Sequence, residues 1–546
     1  MSSTEYSAPG LDRGRPEASS GRRALRAEPL ILGGLVLLAA VIRIVVLNNQ
    51  SIWADEALTA YEARLPLGAM LHTVARVEVT PPLYFIVVWV WAKVFGAGPA
   101  ALRAVSGLAS LALVPIAYGA TRELVSRRAG LVAAALMTVN PLAIWYGQEA
   151  RSYMLLALFT GAAFWAFARA LRAPSRRILA AWTLLSVLAV MTHFFAGFAI
   201  APQAVLLVWR HRSRGTALAA AIVAAAQLAM LPFAIADTSA SHGTGWIGAV
   251  PLSHRISMTV VEWGASNLYR RTNLVGGLAT GFVLIAVTAV LLARGSGGKR
   301  RRGALIAAAV AICVGLGPLI LAAVGQDYFL SRNEIPALVP VVTVLAAACT
   351  APRLARAGAG LAAILLVGFA VAAADVQTHP FLQRANWRAV AAALGPAVRP
   401  RAILAANGTT AQPLKIYLRG VSWVQPHGRR VRVSEIDVVG ATKRLRLDLS
   451  EHPSGAVSFT RPPGGVANSL APPRPRPRRH GAALPTTVAP PRTRLLARFR
   501  VANWVVARFL LARPRWVSVS SLTESAPSFF ERTPAALLVF MQPRGS

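Results

Sequence analysis

The sequence contains few cysteines and few acidic residues for a chain of 546 residues. Its two cysteines, Cys313 and Cys349, both lie inside apolar runs, so neither is a good candidate for a disulfide or a metal ligand. The motifs CxxC and HExxH and the Walker-type glycine loop do not occur. No cofactor is therefore indicated, and a divalent metal is compatible with the sequence without being supported by a motif.

Acidic residues number 21 against 58 lysines and arginines, which gives a formal net charge of +37. In a soluble protein such a charge would indicate nucleic-acid binding. However, 55% of the residues are hydrophobic and only 14% are charged, which is typical of a membrane protein. The basic residues fall in short clusters between apolar runs, as they do in cytoplasmic loops. We therefore expect a membrane environment and no nucleic-acid partner.

Eleven apolar runs are predicted to cross the membrane as helices. They are residues 29–47, 104–121, 129–146, 152–171, 178–192, 194–209, 216–236, 273–293, 304–324, 335–349 and 358–374. The positive-inside rule assigns the basic clusters between them to the cytoplasm. Strict alternation then requires that the additional run 82–97 does not cross, so we predict a re-entrant or interfacial helix there. The high Arg and Ala content is typical of a GC-rich bacterial genome, which indicates a multi-pass protein of the bacterial cell membrane.

The predicted fold class is a polytopic all-α membrane domain followed by a small α/β domain. Residues 1–27 are polar and end in arginines, which indicates a disordered cytoplasmic tail. Residues 28–375 form the membrane domain, with a first outer loop at 48–81. Alternating stretches rich in β-formers predict strands at 401–406, 413–418, 430–439, 499–511, 515–520 and 536–541. They indicate an extracytoplasmic α/β domain at 376–546, interrupted by an unstructured Pro/Arg-rich insertion at 453–492.

The predicted orientation gathers nine acidic residues on the outer side, against Glu123 on the inner side. Such an asymmetry predicts a site that faces outward. Asp55 and Glu56 directly follow the first helix, and on position alone they are equally explained as a helix N-terminus or as reacting carboxylates. Arg43, in the outer turn of that helix, either snorkels to the interface or contacts an anionic lipid head.

Three further polar segments are expected to converge with Asp55 on the outer side. They are Glu78 to Tyr84, which includes a double proline; Asn140 to Tyr153, between two apolar helices; and Asp327 to Asn333. Charged residues between apolar helices are costly, by ~2.5–3.5 kcal/mol each at mid-depth and less at the rim, and so tend to be functional. The alternative for the second segment is a rim ion pair between Arg151 and Glu149, worth at most ~1 kcal/mol.

Together these motifs resemble those of the GT-C membrane glycosyltransferases. The resembling features are the Asp55-Glu56 loop after a transmembrane helix, Pro81-Pro82-Leu83-Tyr84, Trp145 to Tyr153, and Arg332-Asn333 before two prolines. The chain resembles the bacterial protein-mannosyltransferase-like branch, which is related to the aminoarabinose transferases, over about residues 50–390. Thr80 stands where relatives often carry His before the double proline, so a metal or acid–base role is not carried over to that position.

The resemblance implies an inverting transfer of a sugar from a polyprenyl-phosphate donor to a hydroxyl of a lipid, glycan or protein acceptor at the outer face. It implies that Asp55 and Glu56 are catalytic, with Asp55 taking the proton of the acceptor hydroxyl. Arginines are expected at the donor phosphate, because guanidinium groups bind phosphate oxygens in pairs. The substrate-binding candidates are Glu78, Arg103, Gln148, Glu149, Arg151, Arg332 and Asn333.

Two other functions compete with this hypothesis. A transporter or flippase of a lipid-linked saccharide should show internal repeats and polar breaks at mid-membrane, and the sequence shows neither. A non-catalytic scaffold whose outer domain binds a cell-wall polymer leaves Asp55, Glu56 and the segment 148–151 unexplained. The enzyme is therefore the preferred hypothesis.

Overall fold

The structure is a computed structural model of the whole chain. It describes residues 17–78, 80–232, 245–248, 250–265, 274–406, 411–418, 420–423, 431–441, 493–501, 504–517 and 537–545. The predicted insertion at 453–492 lies outside these residues, as do the first 16 residues of the predicted tail. The first helix begins at Glu17, ten residues earlier than the predicted boundary, because Ala, Arg and Leu between Glu17 and Pro29 are good helix formers.

Helices make up the chain up to residue 394. In chain order they are α1 (Glu17–Val46), α2 (Ala54–Glu62), α3 (Leu67–Thr73), α4 (Leu83–Phe95), α5 (Pro99–Leu124), α6 (Arg127–Val139), α7 (Pro141–Gly147), α8 (Tyr153–Ala170), α9 (Arg176–Thr192), α10 (Ala196–His211), α11 (Arg214–Ala229), α12 (Gly245–Gly248), α13 (Leu252–Ala265), α14 (Leu274–Gly295), α15 (Gly298–Ala323), α16 (Leu338–Cys349), α17 (Ala355–Thr378) and α18 (Trp387–Leu394). A π-helical turn (Val74–Glu78) follows α3, and a 3-10 helix (Ser331–Ala337) leads into α16. The helical membrane domain expected from the apolar runs is therefore present.

Seven helices in the described part of the chain are long and apolar enough to cross a membrane, or eight if the bent pair α6–α7 counts as one span. The difference from the predicted eleven lies in α9, α10 and α11, which have 17, 16 and 16 residues. At a rise of about 1.5 Å per residue these helices reach about 25 Å, slightly less than a hydrocarbon core of about 30 Å. The count of eleven crossings stays a prediction.

Helix α4 is short, as its sequence predicted. Its 13 residues span about 20 Å, well below the thickness of the hydrocarbon core. Before it, the predicted outer loop is itself folded, because α2, α3 and the π-helical turn occupy most of residues 54–78. This loop packs on α4 and α5 through a buried cluster that includes Ala60, Met70, Tyr84 and Val105.

The centre of the bundle consists of α5, α8 and α16, whose candidate spans are 61%, 72% and 78% buried. Small residues allow this close packing. A Cβ on Gly303 of α15, for example, would lie 2.1 Å from the backbone carbonyl oxygen of Leu124, so only glycine fits there.

Helices α6 and α7 meet at a 48° bend at Asn140-Pro141. Pro141 has no N–H, so the carbonyl of Met137 loses its helical donor. Arg43 replaces it: one terminal nitrogen donates to Met137 O at 3.2 Å and the other to Thr138 O at 3.1 Å, while Nε donates to the Ser110 hydroxyl at 2.9 Å. Both predicted roles of Arg43 were wrong, because the side chain is 4% exposed and its donors bind protein groups inside the bundle.

After residue 394 the chain forms a six-stranded sheet. Its strands are β1 (Arg401–Ala406), β2 (Ser422–Trp423), β3 (Val431–Ala441), β4 (Thr493–Val501), β5 (Trp504–Val517) and β6 (Leu537–Gln542). They lie in the order β2-β6-β1-β3-β5-β4, with β1 parallel to β3 and the other pairs antiparallel. Helix α18 packs on the sheet through Trp387, whose ring lies 4.4 Å from that of Trp504. The expected small C-terminal α/β domain is thus confirmed.

Two local predictions in this domain were wrong. Residues 413–418 were expected to form a strand, whereas Leu414–Tyr417 form a short helix, α19. The stretches 499–511 and 515–520 were expected to be separate strands, but β5 runs without a break through Pro514. Proline is tolerated there because the pairing of β4 with β5 ends at Leu511, so Pro514 needs no ladder partner on that side.

Replacing Arg43 by leucine should destabilise the bundle, because the carbonyl groups of Met137 and Thr138 would lose buried donors. The expected loss of unfolding free energy is about 1–3 kcal/mol, the cost of leaving buried polar groups unpaired. Thermal unfolding in detergent measures it. As a matched control, Arg172→Leu removes an exposed ion pair with Glu123 and should change stability by less than about 1 kcal/mol. Equal effects of the two substitutions would contradict the role of Arg43.

Candidate functional site

A buried ion pair joins the start of α2 to α5. Glu56, which is 1% exposed, accepts hydrogen bonds of 2.6 Å from Nε and from one terminal nitrogen of Arg103. The remaining N–H groups of Arg103 donate to the backbone carbonyls of Leu47, Gln50 and Ser51, at 3.3, 2.7 and 3.1 Å. All five guanidinium donors of Arg103 are therefore used by the protein itself.

The carboxylate of Glu56 is equally saturated. Besides the two bonds from Arg103, it accepts backbone N–H groups of Ala150 at 2.9 Å and Trp53 at 3.3 Å. Burial raises its pKa, but the charge and hydrogen bonds of Arg103 outweigh burial and hold the pKa below its usual value. Protein groups thus use every acceptor of Glu56 and every donor of Arg103 in this structure, and the catalytic role of Glu56 and the substrate-binding role of Arg103 stay predictions. Both position the loop.

Asp55 is held differently from its neighbour. Successive side chains on a helix are about 100° apart around its axis. Because Glu56 is buried, the adjacent Asp55 lies on the half-exposed side of α2. Among the described residues, no group donates a hydrogen bond to its side chain. It lies within electrostatic reach of two arginines, Arg151 and Arg332. Asp55 is therefore a half-exposed carboxylate beside two arginines, and it accepts no hydrogen bond from the described residues.

The second predicted segment supplies a bidentate ion pair. The two terminal nitrogens of Arg151 donate to the two carboxylate oxygens of Glu78, both at 2.6 Å. The side chains are 12% and 5% exposed. The alternative pairing of Arg151 with Glu149 was wrong, because Arg151 pairs with Glu78 and Glu149 pairs with Arg384. Its Nε atom is buried without a partner in the described structure.

Glu62, at the end of α2, belongs to the same group and escaped the sequence analysis. It is 1% exposed, and neither carboxylate oxygen has a partner among the described residues. Burial and then the charge of Glu78 raise its pKa to about 9, against a smaller opposing effect of Arg151. Glu62 is thus a neutral carboxylic acid at pH 7. Its signal in the sequence was weak, since an acid in a short amphipathic helix usually faces solvent.

Glu149 pairs with an arginine from the far end of the membrane domain. Oε2 of Glu149 accepts from Arg384 at 2.7 Å, and the Arg384 guanidinium lies 4.2 Å from the ring centroid of Trp145. Burial raises the pKa of Glu149, and Arg384 offsets part of this rise. Gln148 is buried and donates to the Ile144 carbonyl at 3.1 Å. The Oε1 atoms of Gln148 and Glu149 are buried and have no hydrogen-bond partner in the part of the chain that is described.

Arg384 and its neighbours also hold the loop that precedes Asp55. Arg388 donates to the carbonyl and side-chain oxygens of Asn48 at 3.1 and 3.0 Å. The hydroxyl of Tyr417 accepts the backbone N–H of Ile52 at 3.0 Å. Arg384 and Tyr417 were not among the predicted site residues, because their partners lie more than 200 residues away in the sequence.

The last predicted pair, Arg332 and Asn333, has two different roles. The guanidinium of Arg332 lies 5.8 Å from the ring centroid of Tyr153 and within electrostatic reach of Asp55, so it belongs to the same site. Asn333 is 7% exposed and donates to the Tyr328 carbonyl at 2.6 Å. Asn333 therefore supports the backbone next to Arg332, and its contact with substrate stays a prediction.

Buried polar atoms without partners concentrate around Asp55. Sixteen such side-chain atoms occur in the described residues, and eight belong to the segments that surround the site. They are Gln50 Nε2, Trp53 Nε1, Glu62 Oε1 and Oε2, Tyr84 OH, Gln148 Oε1, Glu149 Oε1 and Arg151 Nε. Because buried polar groups are nearly always satisfied in a folded protein, this concentration marks a place where a polar molecule is expected. Within the described residues, no group of three or more His, Cys, Asp or Glu side chains is arranged to hold a metal ion.

Residues 79–236 match the family model described as dolichyl-phosphate-mannose-protein mannosyltransferase. Among solved structures, the chain is similar to ArnT from Cupriavidus metallidurans in the apo state, with 15% identity, a TM-score of 0.45, and 74% of this chain and 85% of that chain covered. The same protein bound to undecaprenyl phosphate gives 17% identity and a TM-score of 0.44, with 70% and 84% covered. The Archaeoglobus fulgidus oligosaccharyltransferase tethered with an acceptor peptide gives 14% identity and a TM-score of 0.41, with 67% and 56% covered.

No curated protein matches the sequence. The family match covers the double proline and the segment from Trp145 to Tyr153, two of the motifs on which the resemblance was based. The helical membrane domain with a small C-terminal sheet is the architecture that this resemblance implied. Over residues 79–236 the chain is accordingly similar to the family described as dolichyl-phosphate-mannose-protein mannosyltransferase.

Proposed function

We propose that the protein is an inverting glycosyltransferase that moves a sugar from a polyprenyl-phosphate donor to an acceptor hydroxyl at the outer face of the membrane. The observation that carries the proposal is the environment of Asp55. Its carboxylate is half-exposed and accepts no hydrogen bond from the described residues, while the adjacent Glu56 is locked by Arg103. A general base needs such a combination of fixed position and available oxygens.

Asp55 would remove the proton from the acceptor hydroxyl as its oxygen attacks the anomeric carbon. The bond from that carbon to the phosphate oxygen breaks on the opposite side, so a single displacement inverts the configuration. No covalent intermediate forms, and a second carboxylate is not required as nucleophile. This agrees with a site in which Glu56 and Glu78 are bound to arginines.

The leaving phosphate requires cationic partners, because its charge is unfavourable in a dry environment. Arg332 is the main candidate, since it lies within electrostatic reach of Asp55 and on the ring of Tyr153. Arg151 offers its unpartnered Nε, while its two terminal nitrogens hold Glu78. We therefore expect Arg151 to contribute less to binding of the leaving phosphate than the sequence suggested.

The family match supports the proposed donor class. The matched family is described by a dolichyl-phosphate sugar, and both dolichyl and polyprenyl chains carry a phosphate at the end of an apolar tail. The orphaned polar atoms of Glu62, Tyr84 and Gln148 provide donors and acceptors suited to sugar hydroxyls. These observations support a lipid-linked sugar as substrate and leave its identity open to the assay below.

Asp55→Asn keeps the shape of the side chain but removes its basicity. Transfer from a polyprenyl-phosphate sugar should fall by about 10²–10⁴, the usual contribution of a general base. Radiolabel transfer measured with several such donors in membranes containing the protein tests this. Glu123→Gln is the control and should leave transfer unchanged, because Glu123 lies at the end of α5 opposite to the one that carries Arg103. Near-normal turnover in Asp55→Asn, with normal expression, would refute the assignment of the base.

Arg332→Lys conserves the charge but removes the planar fork that grips two phosphate oxygens. We expect the KM for the donor to rise about tenfold, corresponding to the loss of one charge-assisted hydrogen bond. Donor kinetics and thermal stability should be measured on the same preparation. Reduced stability with an unchanged KM would show that Arg332 is structural and would remove it from the phosphate site.

The proposed orientation is testable by cysteine labelling in a variant in which Cys313 and Cys349 are replaced by alanine. Ala69 is exposed in α3, on the loop that carries Asp55, and Arg128 is exposed at the start of α6. A membrane-impermeant maleimide added to intact cells should label Ala69→Cys and should spare Arg128→Cys until the cells are opened. The reverse pattern would place the site on the cytoplasmic side.

A further inference from the structure

One end of the C-terminal sheet collects exposed arginines. Strands β1 and β3 begin at this end, and the antiparallel strands β5 and β6 finish there. The arginines are Arg399, Arg432, Arg513, Arg515 and Arg544, and all five are exposed. Two hydrogen bonds fix the segments together, from Ser434 N to Pro400 O and from Gly545 N to Ala397 O, both at 2.9 Å. We call this cluster the arginine end of the sheet.

The arginine end includes a two-stranded ribbon that extends beyond the rest of the sheet. After a bulge at Ser434, residues 431–433 pair only with residues 515–517, because the pairing of β4 with β5 stops at Leu511. From residue 512 to residue 516 every side chain is exposed. Within the described structure, the five arginines of the arginine end form no ion pair, so their charge is uncompensated there.

An exposed tryptophan lies beside one of these arginines. Trp516 is 66% exposed and is the registered cross-strand partner of Arg432. Side chains in such a pair lie on the same face, about 5 Å apart at Cβ. A guanidinium and an indole side by side can bind an anionic group and the apolar face of a neighbouring ring at the same time. Arg513 and Arg515 alternate with Trp516 and so cover the opposite face of the ribbon.

The ribbon lies at the end of β5 that is remote from the contact with α18. The opposite end of β5 begins at Trp504, which packs against Trp387 next to the contacts of Arg388 with Asn48. The registered partners of Trp504 and Trp516 on β3 are Ala441 and Arg432, which are nine residues apart, a length of about 30 Å.

We propose that the arginine end of the sheet is a binding surface for an acidic polysaccharide, one whose sugar units carry carboxylate or phosphate groups. The charge balance of the domain points the same way: residues 376–546 contain 26 basic and only 6 acidic residues, so an anionic partner is favoured over the whole domain. Arginine binds carboxylate and phosphate oxygens, and Trp516 packs against the sugar ring. This surface goes beyond the proposed transfer reaction and does not depend on it.

The charge part of the proposal is tested with the full-length protein in nanodiscs of neutral lipid. Polygalacturonate is the acidic probe and dextran of similar size the neutral one. Polygalacturonate should bind, dextran should not, and the triple variant Arg432→Gln, Arg513→Gln, Arg515→Gln should bind polygalacturonate about tenfold more weakly. The control carries the same charge change on exposed arginines of the bundle: Arg176→Gln, Arg210→Gln, Arg356→Gln. Equal binding by the two triple variants would overturn the proposal.

The sugar part is tested with Trp516→Ala, which leaves every charge in place. This variant should bind polygalacturonate several-fold more weakly and inorganic polyphosphate, which has no sugar rings, as well as the unaltered protein does. An equal loss for both probes, or no loss for either, would overturn the assignment to a polysaccharide. Stronger capture by vesicles of anionic phospholipid than by polygalacturonate would overturn it in favour of a membrane contact. Glycosyl transfer to a small acceptor is measured alongside and is expected to stay unchanged.

Discussion

The ion pair between Glu56 and Arg103 is the interaction on which the rest of the site depends. Taking both charges out of water is costly, so the pair is favourable only because every donor and acceptor around it is satisfied. Arg103 binds three carbonyls of the loop after α1, and Glu56 binds the backbone that precedes α8. One side-chain pair thereby fixes α5, the start of α2 and the segment at Ala150 relative to one another. Because Asp55 is adjacent to Glu56 in α2, this arrangement also fixes the position of Asp55.

The C-terminal domain completes the site. Gln50 accepts the backbone N–H of Arg384, and Ile52 donates to the hydroxyl of Tyr417, so the loop between α1 and α2 lies between the bundle and the sheet domain. Arg384 also neutralises Glu149. A movement of the sheet domain would consequently shift the backbone immediately before Asp55. The domain that appeared from its composition to be a separate module is thus part of the framework of the site.

Local patterns predicted the helices, the C-terminal sheet and the segments that converge, because apolar periodicity and polar breaks depend only on residues that are close together in the sequence. Asp55, Glu78, Arg151 and Arg332 were identified in this way. The pairings were not predictable, since Arg151 meets Glu78 across 73 positions and Arg384 meets Glu149 across 235. For the same reason Arg103 looked like a ligand for phosphate, although the fold uses all of its donors. The sequence shows which charged side chains are costly to place between apolar helices. Only the fold shows which of these side chains already have hydrogen-bond partners within the protein.

In the proposed reaction, these pairings allow a site rich in acids to accept an anionic donor. Unpaired carboxylates would repel a phosphate at close range. Instead, Glu56, Glu78 and Glu149 each bind one arginine, and burial favours the neutral form of Glu62. Arg332 lies within electrostatic reach of Asp55 and offsets its charge. The proposed transfer of the acceptor proton to Asp55 would shift the charge of the site toward positive at the moment when the leaving phosphate gains negative charge. Arg332 would therefore favour the products of the proposed displacement.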